Sequence, residues 1–573
     1  MKLFKSLLIL ALSIISQVSN ADALVQNQAM KASTIIEFYI DEDGVRAELE
    51  IGANALEGFK NLLPDAIYRQ FNYGDEAYNQ RLQTFFSKEL SLLTGDETYL
   101  TGQLLSIGPA KRILRDPING TPLPIQDDAP EVIEATLYYS FPKGKLPEQL
   151  IFLSPPARDI GFVAYHNGVS INDFRFISSG YTLDLDWEDP WYSAFTSRNL
   201  RRKYSAPMSG FIYVEPFEVR KEIITRPKDL QRWVDLGLKN KKVISVESQA
   251  EIKQKVAEFL TEHHPVVIDG KPAKGILESV NFLERTLTSS RVIDPPEPLN
   301  IDAAILGVIF VYPQTALPDS VVMTWDLWDE RIIDVPVSAV DQAGPLGMLL
   351  QSDWNKLKWQ NFLKNPVVPS FNIVEAPAAT WQIILYKSLP VIGILALITL
   401  LWLALTIKRK QSFALPLSTV CLLLLTSGLA AQLGKSNNPE LDRAQTIVSS
   451  LLHNIYRSFD YRDDSDIYDI LARSVTGELL TDIFLETKQS LVLANQGGAQ
   501  AKVKEVSLES LNLKPDDNEN SFTVEADWVV QGSVGHWGHV HQRSNRYQAV
   551  MNMVVEEQQW KLSKMTILQQ ERL

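Results

Sequence analysis

Apolar and polar residues alternate with a period of two over much of the N-terminal third of the chain. The alternation runs through residues 36–40, stops at the polar stretch DEDG (41–44) and resumes at Val45. This period buries one face of a strand, and a polar stretch between two such runs predicts a hairpin turn. Asn167-Gly168 is likewise a preferred sequence for a two-residue hairpin turn. We therefore expect a β-rich, sandwich-like N-terminal domain over residues 24–206.

The pattern changes after this region, where helical and strand periods are mixed. Alternation over residues 211–223 predicts one strand, whereas the apolar residues of 248–263 recur on one face of a helix. Short apolar runs rich in β-branched residues follow, and these are typical of strands. Such a mixture predicts an α+β middle domain over residues 207–375.

Two long apolar segments come next. The chain carries no charged residue from Leu389 to Ile407, and none from Phe413 to Leu433. Each segment is long enough to cross a bilayer as a helix, so the pair predicts a two-helix transmembrane hairpin. The expected elements are membrane spans at 383–407 and 413–433 and a cytoplasmic turn at 408–412.

The charges of the turn predict the orientation of this hairpin. Lys408, Arg409 and Lys410 lie together between the two apolar segments. Short loops with an excess of lysine and arginine stay in the cytoplasm. The residues before the first span and after the second are therefore both expected on the outer side of the membrane.

The first residues have the pattern of an export signal. Two lysines precede an apolar run from Leu7 to Ile15, and small residues follow it. A run of this length is short for a membrane span and typical of a signal peptide. We expect residues 1–21 to direct export across a bacterial inner membrane, with cleavage after Ala21 or Ala23. All folded domains would then lie in the periplasm.

Residues 439–573 begin with helical periods and end with strand periods. Apolar residues recur at helical spacing across 447–459 and 467–471, and four alternating runs follow the sequence NQGG. Helices followed by a four-stranded meander resemble the NTF2-like cone fold, in which a curved sheet wraps helices around a cavity. The resemblance implies an α+β NTF2-like C-terminal domain. The layout of the whole chain resembles that of exported bacterial membrane proteins.

Composition narrows the classes of partner. The chain has 69 acidic and 55 basic residues and a net charge of −14, whereas nucleic-acid binding demands a basic face. We expect no nucleic-acid partner. Cys421 is the only cysteine, which excludes an intramolecular disulfide, CxxC redox chemistry and cysteine-rich zinc sites. The expected partners are the lipid bilayer and other membrane or periplasmic proteins.

Three of the seven histidines lie in the sequence GHWGHVHQR at 535–543. A turn centred near Gly535 would pair Asp527 with Arg543 on neighbouring strands. Side chains at alternate positions would then share one polar face. The residues expected on that face are His539, His541, Arg543, Asn545 and Tyr547, opposite Glu525 and Asp527.

Three interpretations of this stretch remain open. Neutral histidine side chains can serve as hydrogen-bonding groups in the wall of a ligand pocket. His536, His539 and His541 could instead hold a divalent metal such as zinc, with a carboxylate completing the three or four ligands that zinc needs. The third interpretation is a hairpin turn whose histidines hydrogen-bond across the two strands and bind no ligand.

The chain carries no motif of a familiar catalytic site. It lacks the G-x-S-x-G, Walker A, G-x-G-x-x-G and H-E-x-x-H patterns. Our leading hypothesis is a non-enzymatic envelope protein without a cofactor, whose domains bind other proteins or organise a membrane complex. The alternative hypothesis is an enzyme, or a small-ligand or metal binder, that uses the cavity of the C-terminal domain.

Overall fold

The computed structural model describes residues 28–114, 123–124, 129–154, 160–177, 180–202, 205–285, 290–368, 370–376, 388–408, 414–433, 439–461, 463–496, 500–514, 521–536 and 539–573. The expected signal peptide (1–21) lies outside these residues, as do Arg409 and Lys410 of the expected cytoplasmic turn. Over the described part of the chain the protein is multidomain and β-rich, as predicted. Two apolar helices separate the middle domain from the C-terminal domain.

The N-terminal domain contains two sheets. Its strands are β1 (Thr34–Asp41), β2 (Gly44–Gly52), β3 (Ser91–Thr94), β4 (Thr101–Lys111), β5 (Glu131–Ser140), β6 (Gln149–Leu153), β7 (Ile160–His166), β8 (Val169–Ser170), β9 (Arg175–Phe176), β10 (Tyr181–Asp184) and β11 (Ala194–Phe195). Its helices are α1 (Asp65–Gln70) and α2 (Tyr78–Thr84), with 3₁₀ segments at Gln28–Lys31, Ala53–Leu62, Pro190–Tyr192 and Arg198–Leu200 and a π-helical turn at Phe85–Glu89. The larger sheet has the order β4-β5-β2-β1-β7-β8, with β9 also paired to β7, and the smaller sheet has the order β11-β10-β6-β3.

The two sheets share one hydrophobic core, so the domain is a sandwich. Phe38 of β1 meets Phe152 of β6 edge-on, with ring centroids 5.0 Å apart. The predicted first hairpin is confirmed, because β1 pairs antiparallel with β2 up to Asp41 and Gly44. Asn167-Gly168 forms the predicted two-residue turn, with φ angles of 47° and 80°, and only turns of this left-handed kind match the twist of the flanking strands.

The middle domain contains three sheets and two helices. Its strands are β12 (Met208–Glu215), β13 (Glu218–Thr225), β14 (Val243–Ile244), β15 (Val266–Ile268), β16 (Lys271–Ala273), β17 (Ile276–Arg285), β18 (Ser290–Val292), β19 (Leu299–Asn300), β20 (Ile305–Pro313), β21 (Ser320–Thr324), β22 (Val335–Asp341), β23 (Gly344–Leu350) and β24 (Lys356–Gln360), and its helices are α3 (Pro227–Leu230) and α4 (Val246–Thr261). The sheet orders are β18-β17-β20-β13-β12-β22-β23, β16-β15-β21-β24 and β14-β19.

The prediction of a single strand over residues 211–223 is wrong. Glu215 pairs with Glu218 in antiparallel register, so Pro216 and Phe217 form a turn between β12 and β13. Because a two-residue turn preserves the alternation, the pattern along the chain shows no break at this point. The predicted amphipathic helix is confirmed as α4, whose apolar face is buried in the core of the domain.

A buried arginine joins the N-terminal and middle domains. Arg226, just before α3, donates hydrogen bonds to both carboxylate oxygens of Asp189, at 2.8 and 3.2 Å, and to Asp229 at 2.9 Å. Its guanidinium carbon lies 4.6 Å from the ring centroid of Trp191. These side chains are almost fully buried. The junction therefore rests on ion pairs that are shielded from water as well as on apolar contacts.

Two apolar helices follow the middle domain, α5 (Leu389–Lys408) and α6 (Ala414–Leu433). Within the part of the chain that the structure describes, α5 is the one helix long and apolar enough to cross a membrane. Within α6, the residues whose side chains the structure describes form a shorter apolar stretch, Leu417–Gly428. Where we expected two spans, the structure therefore has one candidate span and a second apolar helix that contacts it.

The C-terminal domain places three helices before one antiparallel sheet. Its elements are α7 (Leu441–Arg457), a 3₁₀ turn (Ser458–Asp460), α8 (Asp464–Ala472), α9 (Glu478–Gln496), β25 (Gln500–Lys514), β26 (Ser521–His536), β27 (His539–Glu556) and β28 (Gln559–Arg572). The strands pair in the order β25-β26-β27-β28, as in the predicted meander. The buried face of α7 packs against one face of this sheet and forms the core of the domain.

Candidate functional site

The register of the β26–β27 hairpin differs from the predicted one. His536 pairs with His539, so β26 extends past Gly535 and the predicted turn near Gly535 is wrong. Asp527 consequently pairs with Gln548 and not with Arg543. The two registers differ by an odd number of residues, and an odd shift moves every side chain of one strand to the other face of the sheet.

The corrected register separates the residues of the predicted polar face. Glu525 and Asp527 lie on the solvent side of the sheet, whereas Asn545 and Tyr547 lie on the side that packs against the helices. For the four other residues of the predicted set the structure describes the position in the strand but not the side chain: His536, His539, His541 and Arg543. The structure therefore does not bring the predicted pocket residues together as one set.

Aromatic side chains fill the space between α7 and the sheet. Trp528 stacks on Tyr547 with ring centroids 5.4 Å apart, and both side chains are fully buried. The indole N–H of Trp528 donates to the hydroxyl of Tyr456 on α7 at 3.2 Å. At these positions the interior of the domain is a packed core, whereas the cone-fold resemblance implied a ligand cavity there.

A shallow cavity of about 560 Å³ lies on the opposite face of the same sheet. Asp527 accepts a hydrogen bond from Ser510 at 2.5 Å, and Arg546 pairs with Glu509 at 3.1 Å. The residues lining it are Glu509, Ser510, Asp527, Arg546, Gln548, Gln569 and Glu571. Since these groups are polar and open to solvent, they suit the outer face of a one-sided sheet. Among the described residues no three His, Cys, Asp or Glu side chains are grouped to hold a metal ion.

A cluster of titratable side chains lies in the middle domain, outside the set of site residues predicted above. Asp326 lies 3.1 Å from His263 Nδ1 and 3.0 Å from His264 Nδ1. His264 is fully buried, and its ring stacks on Trp325 with centroids 3.8 Å apart. The ammonium group of Lys221 donates to the backbone carbonyls of both histidines, at 3.0 and 3.1 Å.

Burial controls the protonation of this cluster. It lowers the pKa of His264 to about 4, against the opposing effect of Asp326. Burial also lowers the pKa of Lys221 to about 8. For Asp326, burial acts to raise the pKa, but the hydrogen bonds with His264 and the charges of His264 and His263 together outweigh it and lower the pKa to about 2. Lys221 and His264 are almost completely buried, whereas His263 and Asp326 are 29% and 35% exposed. The cluster ties the end of α4 to β13 and to the residues that follow β21.

The segment that precedes α5, residues 370–376, is bound to the C-terminal domain. Trp560 donates its backbone N–H to the carbonyl of Val374 at 2.8 Å, and Ala376 donates to the carbonyl of Gln558 at 2.8 Å. These bonds add Glu375 to the edge of β28 as an antiparallel bridge to Gln559. Val374 and Ala376 pack against the core of the C-terminal domain.

Asn454 of α7 holds the other end of segment 370–376. Its carboxamide accepts a hydrogen bond from the backbone N–H of Asn372 at 3.1 Å and donates to the backbone carbonyl of Asn372 at 2.7 Å. The phenyl ring of Phe371 contacts Tyr461, with centroids 5.6 Å apart. Tyr461 also meets Phe217 of the middle domain at 5.1 Å. Asn454 and Asn372 are 82 positions apart, so no local pattern could have paired them.

Comparisons with known proteins add little to this picture. No protein-family model and no curated protein sequence matches the chain. The crystal structure of the intermembrane space region of the chloroplast protein ARC6 is similar over 23% of this chain and 98% of its own length, with 15% sequence identity and a TM-score of 0.18. A TM-score this low supports no conclusion about fold or function.

Proposed function

We propose that this chain is a non-enzymatic protein of the bacterial inner membrane, held by the two-helix hairpin α5–α6, whose domains bind other envelope proteins on the periplasmic side. One observation carries the proposal. Segment 370–376 precedes α5 and is hydrogen-bonded to the domain that follows α6. Residues in such contact must lie on the same side of a membrane.

This contact restricts the number of times that the chain can cross. A single crossing would place segment 370–376 and the C-terminal domain on opposite sides of a hydrocarbon layer roughly 30 Å thick. An even number of crossings is required, which agrees with two helices and not with one. The apolar side chains of both helices are largely exposed, with Leu401 at 64% and Leu425 at 72%, and a surface of this kind favours lipid over water.

The direction of the hairpin follows from its charges. Lys408 ends α5, and Arg409 and Lys410 continue the basic turn. Such a turn favours the cytoplasm, so the three domains are assigned to the periplasm, in agreement with the export signal proposed for residues 1–21.

The order of helices and strands supports an NTF2-like assignment for the C-terminal domain, and the packed Trp528–Tyr547 interior supports a binding role over catalysis in a cavity.

An engineered disulfide tests the placement of the contact. Glu375 and Gln559 form a non-hydrogen-bonded antiparallel pair, in which Cα atoms lie about 4.5 Å apart, within the range that a disulfide spans. We expect E375C/Q559C in a C421S background to become oxidised in intact cells without added oxidant, since disulfides persist in the periplasm and not in the cytosol. Gel mobility with and without reductant measures it.

The control pair and the compartment separate the outcomes of this test. E375C/E505C places the second thiol on β25, at the other edge of the sheet, and is expected to stay reduced. Oxidation of E375C/Q559C only after cell lysis would put the C-terminal domain in the cytosol and refute the proposal. If this pair resists oxidation even after lysis, the contact itself is absent and the topological argument fails.

The binding role makes a separate prediction. Chain purified from gently solubilised membranes should carry stoichiometric protein partners, detected by crosslinking and mass spectrometry. A monomer that crosslinks to nothing under these conditions would count against an organising function while leaving the topology untouched.

A further inference from the structure

We propose that one edge of the middle domain lies on the surface of the lipid bilayer that α5 enters. This surface, here called the β23 edge, consists of five exposed apolar side chains on and around strand β23: Ile333, Leu346, Leu349, Trp354 and Phe362. The inference rests on the membrane anchoring proposed above. It adds a second contact with lipid, made by a folded domain outside the two apolar helices.

Strand β23 has the composition of a covered strand but lies at the end of a sheet. It is the last strand in the order of the seven-stranded sheet and pairs with β22. Its sequence, GPLGMLL, contains a proline but no charge, although charged side chains commonly protect the edges of sheets. Leu346 and Leu349 are 60% and 54% exposed. Exposed apolar surface of this kind marks a site of contact with a membrane or a protein.

Ile333 and Trp354 lie together at the end where β23 finishes. Gln351 and Trp354 form an antiparallel bridge, with backbone hydrogen bonds of 3.0 and 3.2 Å. The side chain of Gln351 also donates to Asp334 at 2.8 Å, which brings the neighbouring Ile333 to this turn. Ile333 is 66% exposed and Trp354 is 72% exposed. These side chains are as exposed as the leucines of α5 and α6 that are expected to face lipid.

Phe362 lies at the opposite end of β23, beside the turn that joins β22 to β23. The indole N–H of Trp359 donates to Asp341 at 2.9 Å. The side chain of Gln342 forms two hydrogen bonds of 2.7 Å with the backbone of Val367. Phe362 lies between these two attachments and is 85% exposed. A strand of seven residues spans roughly 23 Å, so an exposed aromatic residue flanks the apolar strand at each end.

The charges beside the β23 edge favour anionic lipid. Residues 354–374 contain no aspartate or glutamate, in a chain whose net charge is −14. Asp353 is the exposed carboxylate that adjoins this stretch. Basic side chains near an anionic lipid surface stabilise binding, and tryptophan is enriched at the level of the headgroups. The basic residues of the stretch are all exposed: Lys356, Lys358 and Lys364.

The same combination of residues distinguishes a lipid surface from a protein partner. Lysine is depleted from protein–protein interfaces, whereas lysine beside tryptophan, phenylalanine and leucine is typical of surfaces that lie in the headgroup region. A lysine side chain can cover apolar surface with its methylene groups while its ammonium group stays among the headgroups. We therefore assign the β23 edge to the bilayer.

The chain on both sides of the apolar helices keeps the β23 edge close to the bilayer. Leu433 ends α6 and Leu441 begins α7, and the residues between them reach at most about 30 Å. The C-terminal domain in turn contacts the middle domain through Tyr461 and Phe217, whose ring centroids are 5.1 Å apart. Docking is thus a contact within one tethered molecule, for which a weak affinity for lipid suffices.

Fluorescence quenching by lipid tests this contact in the full chain. Each variant carries C421S and one engineered cysteine labelled with the dye NBD. The chain is reconstituted into vesicles of phosphatidylethanolamine and phosphatidylglycerol that contain a lipid with a nitroxide near its headgroup in both leaflets. We expect the nitroxide to quench the dye at F362C at least threefold more strongly than the dye at I276C. Ile276 is the matched control, because it is 61% exposed in the same domain but lies on β17, four strands away from β23 in the sheet.

Two sets of changes separate the apolar contribution from the charged one. L346D/L349D should reduce quenching at F362C at least threefold, and W354S takes its place if the double variant does not fold by circular dichroism. Replacing phosphatidylglycerol by phosphatidylcholine, or adding salt, should weaken quenching at least twofold. K356E/K358E/K364E should remove this dependence on lipid charge.

The remaining outcomes distinguish docking from anchoring and from self-association. Equal quenching at F362C and I276C would overturn the inference. Strong quenching at L401C on α5 with none at F362C would refute docking and leave the anchoring intact, whereas no quenching at L401C would refute both. A second copy of the chain is the other occupant to test. Intermolecular disulfides between unlabelled F362C chains, with a dye that the nitroxide does not reach, would assign the β23 edge to a dimer and overturn its assignment to lipid.

Discussion

Replacing Arg226 by alanine is expected to lower the free energy of unfolding of the joined N-terminal and middle domains by about 3–5 kcal/mol. The guanidinium of Arg226 forms ion pairs with Asp189 and Asp229, whose side chains are 4% and 0% exposed. Burial acts to raise the pKa of Asp189, but Arg226, Lys228 and a hydrogen bond from the backbone N–H of Trp191 together outweigh it and lower the pKa. Without Arg226, Asp189 is left with Lys228 at 3.5 Å and Asp229 with Arg232 at 3.6 Å. Both buried carboxyl groups thus lose their closer ion pair, which is costly in the interior.

Urea denaturation combined with hydrogen–deuterium exchange measures this effect. Peptides covering residues 186–193 and 226–232 should lose protection together, because they meet at the same junction. The R546A variant is the matched control, since Arg546 pairs with Glu509 at 3.1 Å but is 43% exposed. That change should cost no more than about 1 kcal/mol.

The neutral triple variant R226M/D189N/D229N separates pairing from packing. It removes all three charges while roughly preserving side-chain volume, and such replacements are often neutral or stabilising. We expect it to recover most of the stability that R226A loses. If R226A costs no more than R546A, the buried ion pairs do not hold the two domains together.

The second large effect is acid destabilisation through His264. Burial lowers the pKa of His264 from 6.5 to about 4, so between these values the unfolded chain binds a proton that the folded chain does not. The free energy of unfolding therefore falls as the pH falls from 6.5 to 4. Since one pKa unit is worth about 1.4 kcal/mol, this histidine accounts for a loss of roughly 3 kcal/mol.

The variant H264N should flatten this pH dependence in the middle domain. Asparagine is suited to the left-handed backbone at this position, where φ is 53°. The readout is the slope between pH 6.5 and 4, from hydrogen–deuterium exchange of α4 and β21 corrected for the intrinsic exchange rate. The adjacent H263N is the control and should keep the wild-type slope, because His263 is 29% exposed. An unchanged slope in H264N would assign the acid lability to other groups.

His166 is expected to behave in the same way in the N-terminal domain. Its side chain is fully buried beside Trp187 and within 2.8 Å of the Ser193 hydroxyl. Burial lowers the pKa of His166 to about 4. Acidification below pH 6.5 should therefore loosen both domains in the same range, whereas the lowered pKa of Asp326 acts only at more acidic pH.

Much of the local structure was predictable from periodicity. The β1–β2 hairpin, the Asn167-Gly168 turn and α4 lie where the alternating and helical patterns indicated. These elements depend on neighbouring residues, whose spacing determines which face can be buried. The predictions of strand bounds and register failed where they depended on the position of a single turn. Pro216-Phe217 is hidden inside a continuous alternation. Pairing His536 with His539, in place of a turn near Gly535, moves the side chains of β27 to the other face relative to those of β26.

By itself, the sequence determined the order of sheet-forming and helical regions, the two apolar helices and the basic residues between them, because each depends on local composition and period. Only the tertiary structure decided which distant groups meet: Arg226 with Asp189, His264 with Asp326, and Asn454 with Asn372. Each pair joins segments far apart in the chain, and a one-residue change in register or docking would separate its members. The contact that carries the proposed topology is of this second kind.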